Sequence, residues 1–325
     1  MTRILAVARR RLLHSIPVVA IVVLGVFALL EAAPGDAVDA YLVIGGGDAE
    51  MIQRLRQEWG LDRSFLARLG AYLTALAHLD LGWSVAFARP VSAVLFERLP
   101  NTLMMMAAAI CFSFSAGTLL GIAAGARPGS LRDRILSLVS LGLYAMPSFW
   151  LGLMLLVGFA VKLAWFPLGG IESVGMGKTG LARALDIARH LVLPVLSLGL
   201  IYLALYLRLM CTGMIEAWRS DYIRTARAKG LTPRRIAFRH AARNALLPVV
   251  TMLGLQAGAL LSGSVVVESV FAIPGMGRLA FEAVTQRDVP LLLGVFLIST
   301  LMVILANLFV DLLYARLDPR VAAEG

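Results

Sequence analysis

The tripeptide Gly177-Lys178-Thr179 is the stretch whose residue types most directly suggest chemistry, because it matches the end of a phosphate-binding P-loop. A complete P-loop has another glycine five residues before Gly177, and here that position is Glu172. A P-loop also follows a buried strand, whereas this tripeptide stands in a short segment between two apolar runs. The sequence therefore predicts no nucleotide site in this chain. If its function needs energy, that energy must come from a partner or an ion gradient.

Residues that could act as acids, bases or metal ligands are scattered along the chain. The histidines stand at four distant positions, namely His14, His78, His190 and His240. The cluster Met104–Met106 opens an apolar run, and we interpret it as core packing, since a metal path would need more Met, His or Cys on one face. We expect no catalytic residue and no metal site, so the chain is predicted not to be an enzyme.

The elements around these residues are too apolar for a soluble domain. The sequence is 59% hydrophobic with a mean hydropathy of +0.83. About 20 residues cross a bilayer core as a helix, and the apolar runs are continuous rather than alternating. Six uncharged runs, with His counted neutral, are long enough: residues 12–30, 99–126, 135–161, 191–207, 244–267 and 289–310. The predicted fold class is an all-α integral membrane protein with six transmembrane helices, the third of them kinked or tilted at Pro147.

The distribution of Lys and Arg predicts the orientation. With the N-terminus inside, the inner segments hold 18 of the 30 Lys and Arg in 70 residues, whereas the outer segments hold 12 in 118 residues. Cytoplasmic loops carry the excess of positive charge, so both termini are expected in the cytoplasm. The net charge of +10 is then a membrane signature, and no nucleic-acid partner is expected, because no basic segment is interleaved with stacking aromatics.

A charged stretch in the second half of the chain has the pattern of two helices around one glycine. Ser220 or Asp221 can cap a short helix that ends at Gly230 in a left-handed conformation. Thr232 then caps a second helix with Pro233 at its first position. Arginines at a spacing of four residues form one basic stripe on it: Arg235, Arg239 and Arg243. A solvated basic loop would need less order, so we interpret the stretch as a docking element for another protein.

This stretch resembles the cytoplasmic loop of ABC-importer permeases, and YIRTARAKGL with HAARNALLPVVT is most similar to the dipeptide/oligopeptide/nickel permease family. Ala226 and Gly230 match the general E-A-A-x-x-x-G pattern, while Arg224 and Thr225 stand where it has Glu and Ala. Further stretches similar to that family cover nearly the whole chain: Ala-Pro-Gly-Asp after the first run, YAMPSFWLGL, FAIPGMGRL and DLLYARLDPR.

The resemblance implies a type I ABC importer permease fold and a B-type subunit of the bacterial cytoplasmic (inner) membrane that works by alternating access. Its implied partners are a second homologous permease subunit, two ATP-binding subunits that hold ATP and Mg²⁺, an extracytoplasmic substrate-binding protein and membrane lipid. Loop 208–243 would carry the coupling helix, through Tyr222, Arg224, Thr225, Ala226, Lys229, Gly230, Leu231 and Arg235. Dipeptides, oligopeptides, nickel chelates, glutathione-like molecules and opines all remain open as substrates.

The chain is expected to have two parts. Residues 1–98 comprise a basic leader, the first transmembrane helix and a segment of amphipathic helices outside the membrane; residues 99–325 form a five-helix permease domain. In the fifth run the small residues Gly254, Gly258 and Ser262 recur every four positions, which predicts close helix packing or a place beside the pathway. Glu268 is expected to be solvated or paired near the outer surface.

The alternative function is a secondary transporter driven by an ion gradient. Such transporters place charged residues or broken helices at mid-membrane. The six apolar runs contain no Asp, Glu, Lys or Arg, which favours the importer subunit over this alternative.

Overall fold

The structure is a computed structural model that describes residues 2–32, 53–54, 62, 64–261 and 265–317, which are mostly α-helical. In chain order the elements are α1 (Thr2–Ala32), α2 (Phe65–Ala77), β1 (Trp83–Ser84), β2 (Arg89–Pro90), α3 (Val91–Gly125), α4 (Leu131–Ala145), α5 (Ser148–Leu155), α6 (Gly180–Trp218), α7 (Asp221–Ala228), α8 (Pro233–Arg235), α9 (Ala242–Leu261), α10 (Val265–Val270), α11 (Met276–Thr285) and α12 (Val289–Leu317). Two π-helical segments, Leu156–Lys162 and Ile236–Ala241, continue α5 and join α8 to α9.

Three described helices are long and apolar enough to cross a membrane: Val91–Gly125, Gly180–Trp218 and Val289–Phe309. A fourth crossing is possible if α4 and α5 together make one broken span. Residues Leu13–Leu29 form a shorter apolar helix within α1, and α9 covers most of the fifth predicted run before the described residues break at 262–264. The helical membrane class is thereby confirmed, and the count of six crossings stays a prediction.

The third predicted crossing is broken rather than merely kinked. α4 ends at Ala145 and α5 begins at Ser148, and the two helix axes differ by 104°. Met146 has extended backbone angles (φ −83°, ψ 135°), which is the conformation that a following proline imposes. Pro147 also lacks the N–H that a continuous helix would use, so the chain turns at this point.

The structure forms two compact units, of which the first comprises Met1–Thr102 and Pro274–Leu305. Its core lies between the start of α3, helix α11 and the start of α12. The buried apolar residues of this core are Val91, Val94, Leu95, Met276, Leu279, Ala283, Leu291, Leu292 and Val295. Asn101 donates a hydrogen bond to the carbonyl of Pro274 (2.8 Å), which ties the loop before α11 to α3.

A β-hairpin replaces part of the amphipathic helical segment predicted for the first unit. α2 confirms a helix there, but β1 and β2 pair antiparallel immediately after it. Gly82 and Ala88 have positive φ (+84° and +48°), which an α-helix does not allow. Asp288, only 1% exposed, holds this hairpin to the start of α12 by accepting from the Ser84 hydroxyl (2.6 Å) and from the Ala86 and Leu291 N–H groups (3.0 and 3.1 Å).

The second unit comprises Leu103–Ile273 and Ala306–Gly325, and α6 is its central helix. Along α3, Gly117, Gly121 and Gly125 recur every four residues and face α6. A Cβ atom at Gly121 would lie 2.5 Å from the Cβ of Met210, so only glycine permits this approach. This unit therefore packs two of its long helices through a stripe of small residues on α3.

The loop that contains Gly177-Lys178-Thr179 is held by ion pairs. The Lys178 ammonium lies 2.5 Å from Asp186 Oδ1, and Asp186 also accepts hydrogen bonds from the N–H and the hydroxyl of Ser173. Arg183 donates two hydrogen bonds to Glu172, and these lower the pKa of that carboxyl below its usual value. Lys178 is thus part of a structural contact between the loop and α6.

Candidate docking site for partner subunits

α7 is a short helix with one buried face and one exposed face. Ile223 is fully buried and Ala226 is 5% exposed, and both belong to a core cluster with Tyr206, Met210 and Met214 of α6. These small and medium apolar side chains recur three residues apart, which places them on one side of the helix. The other residues of α7 are exposed and, apart from Ala228, polar or charged, so the helix is anchored to α6 and presents its charged side to solvent.

Gly230 ends α7 in the predicted left-handed conformation, with φ +73°. The Gly230 N–H donates to the carbonyl of Arg227 (2.9 Å), and the Leu231 N–H donates to the carbonyl of Ala226 (3.3 Å). This pair of bonds is a Schellman motif, which satisfies the last free carbonyls of a helix. Leu231 packs against the core cluster, so the end of α7 is fixed by both hydrogen bonds and packing.

The predicted starts of the two helices are confirmed, but the predicted hydroxyl caps are absent. Ser220 and Thr232 stand at the N-cap positions of α7 and α8, and Pro233 is the first residue of α8. Neither hydroxyl accepts a hydrogen bond from a backbone N–H in the first turn of its helix. Ser220 Oγ donates instead to the carbonyl of Glu216 (3.3 Å). A serine hydroxyl can bond backward to the preceding turn, and here that competing bond forms.

Four of the predicted coupling residues lie on the exposed side of α7 or at its end. Tyr222 is 39% exposed, Thr225 donates its hydroxyl to the carbonyl of Asp221 (3.1 Å), and Lys229 is exposed at the C-cap. Arg224 lies 3.3 Å from the carboxylate of Asp221, and 78% of its side chain is exposed. An exposed pair of this kind contributes little stability, so both charges remain available to a partner.

The other predicted residues are divided between anchoring and exposed positions. Ala226 and Leu231 contact the core, so they position the helix rather than its surface. Arg235 is exposed at the end of α8. In the fifth run, Gly254 is buried in α9 and Gly258 lies in the same helix, while Ser262 falls outside the described residues.

Trp218 is a positioning residue that the sequence did not reveal to us. Its indole N–H donates to the carbonyl of Gly125 at the end of α3 (2.9 Å), and the Arg227 guanidinium of α7 lies over its ring at 5.1 Å. One side chain at the end of α6 therefore contacts both α3 and α7. The sequence signal for this role was the position of Trp218, a large aromatic residue shortly after the fourth apolar run and just before the basic stretch that begins at Ser220.

The burial of Glu268 excludes one of the two alternatives expected for it. Glu268 is 0% exposed in α10, so it is not solvated, and the paired alternative remains. Its carbonyl accepts from the Ile273 N–H (2.8 Å), which closes the turn after α10. Over the described ranges, no group of three or more His, Cys, Asp or Glu residues could hold a metal ion.

The geometry defines a helical membrane subunit with a small cationic helix anchored beside its longest helix. Residues 117–323 match the family described as "Binding-protein-dependent transport system inner membrane component". The chain is 39% identical to the di/tripeptide transport system permease protein DppB of Pseudomonas aeruginosa, over 96% of this chain and 97% of that protein. It is 36% identical to the dipeptide transport system permease protein DppB of Escherichia coli, over 96% and 97%.

A similar relative from another bacterium is the oligopeptide transport system permease protein AppB of Bacillus subtilis, at 35% identity over 96% of this chain and 98% of that protein. Among solved structures, an inward-facing MetNI methionine ABC transporter superposes with a TM-score of 0.52 at 17% identity, covering 70% of this chain and 97% of that chain. The fold is therefore that of an ABC importer permease.

This chain belongs to the family of inner-membrane components of binding-protein-dependent transport systems. It is a transport subunit of the bacterial inner membrane and not an enzyme. Membership of the family implies that the chain acts together with ATPase and substrate-binding subunits. The ABC-importer resemblance drawn from the sequence is confirmed.

Proposed function

We propose that this chain forms one half of an import pathway for short peptides. The relatives most similar to it are described as permeases for dipeptides, di/tripeptides and oligopeptides, which supports peptides over the nickel, glutathione and opine alternatives. A second, homologous permease subunit forms the other half, and an extracytoplasmic protein delivers the peptide. Six helices cross the membrane with both termini in the cytoplasm. Four of the crossings are the three long apolar helices and the broken span made by α4 and α5, and the apolar stretch of α1 and helix α9 supply the other two.

α7 is the element through which this chain couples to the ATPase subunits, and the two ATPase subunits bind the ATP and Mg²⁺. The observation that carries this assignment is the anchoring of a short exposed cationic helix by Ile223 and Ala226 in the same apolar cluster as α6. Displacement of α7 moves buried residues of the cluster, because protein interiors are close-packed and transmit strain. Closure of the ATPases is thereby converted into movement of a long membrane helix.

The test is uptake by proteoliposomes that contain the complete complex, with labelled di- or tripeptide and its binding protein outside. Uptake should require ATP inside the vesicles and should be blocked by unlabelled short peptides but not by nickel salts. Nickel-chelate uptake at equal or higher rates, or uptake driven by a proton or sodium gradient without ATP, would reject the proposal.

A further inference from the structure

One exposed face winds gradually around the helical segment that follows α7, which is π-helical at Ile236–Ala241, and changes from basic to apolar along its length. The residues of this face are exposed and stand four apart: Arg235, Arg239, Arg243, Leu247, Thr251 and Leu255. The exposed fractions of its two leucines are 38% and 68%. The change occurs where the charge-free run begins, so the arginine end suits water and lipid headgroups, whereas the leucine end suits an apolar environment.

The arginine end of this face is concave. An open groove of about 380 Å³ is lined by Thr232, Arg234, Arg235, Phe238 and Arg239. Phe238 is 54% exposed between the arginines, so an apolar ring lies beside the cationic groove. The sequence has seven Lys and Arg and no Asp or Glu from position 222 to 243, so no nearby carboxylate along the chain neutralises the groove.

We propose that this face binds an anionic phospholipid, with the phosphate held by the groove and an acyl chain lying along Leu247 and Leu255. A guanidinium is planar and donates in a fork that matches a phosphate, and basic clusters at the cytoplasmic end of membrane helices attract anionic headgroups. Eight residues separate Arg239 from Leu247, which is about 12 Å along a helix and exceeds the headgroup layer of about 5–8 Å. The proposal rests on the cytoplasmic placement of loop 208–243 given under the proposed function.

The apolar continuation of the face favours a lipid over an acidic protein surface. A docked protein would account for the arginines, but the leucines on the same side would still need an apolar environment. A lipid accounts for both ends with one molecule. The exposed docking residues of α7 precede Arg239 and Arg243 in the chain, so the two arginines replaced in the test below are not among the residues predicted to couple to the ATPases.

The experiment compares lipid selectivity in the purified complete complex. The complex is exchanged into nanodiscs containing phosphatidylglycerol and phosphatidylcholine, and the lipids retained after mild detergent release are counted by native mass spectrometry. Arg239→Gln/Arg243→Gln should lower the preference for phosphatidylglycerol roughly 30-fold, because each basic residue near the surface contributes about fivefold and two are removed. Arg132→Gln/Arg134→Gln removes the same charge from two exposed residues elsewhere and should leave the preference unchanged.

Two further arms distinguish the sources of the anion and the kind of partner. Inorganic phosphate at millimolar concentration should not displace phosphatidylglycerol, since it lacks the acyl chain; displacement would mean that the groove binds a free anion. Equal losses in the two double variants would reduce the effect to general surface charge and overturn the proposal. If Arg239→Gln/Arg243→Gln left the lipid preference unchanged but caused the ATPase subunits to be lost from the complex, this face would be a protein interface. If the unmodified complex preferred phosphatidylglycerol but failed to take up peptides, only the proposed function would be rejected.

Discussion

Replacement of Gly230 by valine should uncouple transport without unfolding the subunit. Gly230 has φ +73°, and a Cβ atom built there meets nothing within 4 Å, so the effect of valine is purely conformational. A left-handed backbone disfavours an L-residue by about 1–2 kcal/mol, and a β-branched residue is a clear outlier there. That is small against a typical stability of about 5–15 kcal/mol, so membrane abundance should stay near normal.

The same 1–2 kcal/mol is large for the local geometry of α7. It shifts the balance between the formed and distorted helix end by roughly 5- to 30-fold, because about 1.4 kcal/mol is a factor of ten. Peptide uptake and binding-protein-stimulated ATP hydrolysis in the reconstituted complex should both fall at least fivefold by this estimate. Gly129→Val is the matched control, since Gly129 has φ +80° with equally open space in the turn before α4. Equal transport by the two variants would show that the left-handed conformation at Gly230 is not needed for coupling.

Three further substitutions test other contacts. Gly121→Ala should destabilise the purified subunit by about 1–3 kcal/mol, because the added Cβ would lie 2.5 Å from the Met210 Cβ. The control Gly142→Ala places its Cβ in open space in α4 and should stabilise the subunit slightly, and thermal unfolding in nanodiscs measures both variants. Trp218→Leu removes the contacts to Gly125 and Arg227 and should lower peptide uptake per ATP hydrolysed while ATPase subunits still co-purify; an unchanged ratio would exclude a positioning role. Asp288→Ala should make the hairpin of the first unit accessible to protease, because three donors lose their acceptor; unchanged cleavage would show that the hairpin is held otherwise.

Local signals in the sequence were sufficient for α7 and its surroundings. Gly230 and Pro233 restrict the backbone through their own covalent structure, so the turn and the helix start followed from single residues. The broken helix at Pro147 was signalled in the same way, although only as a kink, because the sequence does not give the 104° change of direction. Family resemblance then supplied the function that no spacing in this chain could give.

Contacts between distant residues were not predictable in this way. The packing prediction for Gly254 and Gly258 stays a prediction, whereas the close approach of α3 to α6 at Gly121 was not predicted. A small-residue stripe shows where a helix can approach a neighbour, but not which neighbour is present. The hairpin at Trp83–Pro90 was missed for a related reason, since it depends on Asp288 some 200 residues away.

We expect the exposed side of α7 to touch the ATPase subunits. A photo-crosslinking amino acid at Tyr222, which is 39% exposed, tests this in the assembled complex, with Val174, 97% exposed in another loop, as the control position. Docking through α7 predicts a cross-link from position 222 to an ATPase subunit that changes in yield when ATP is bound, and none from position 174. Cross-links from 222 only to lipid or to the extracytoplasmic binding protein would contradict it.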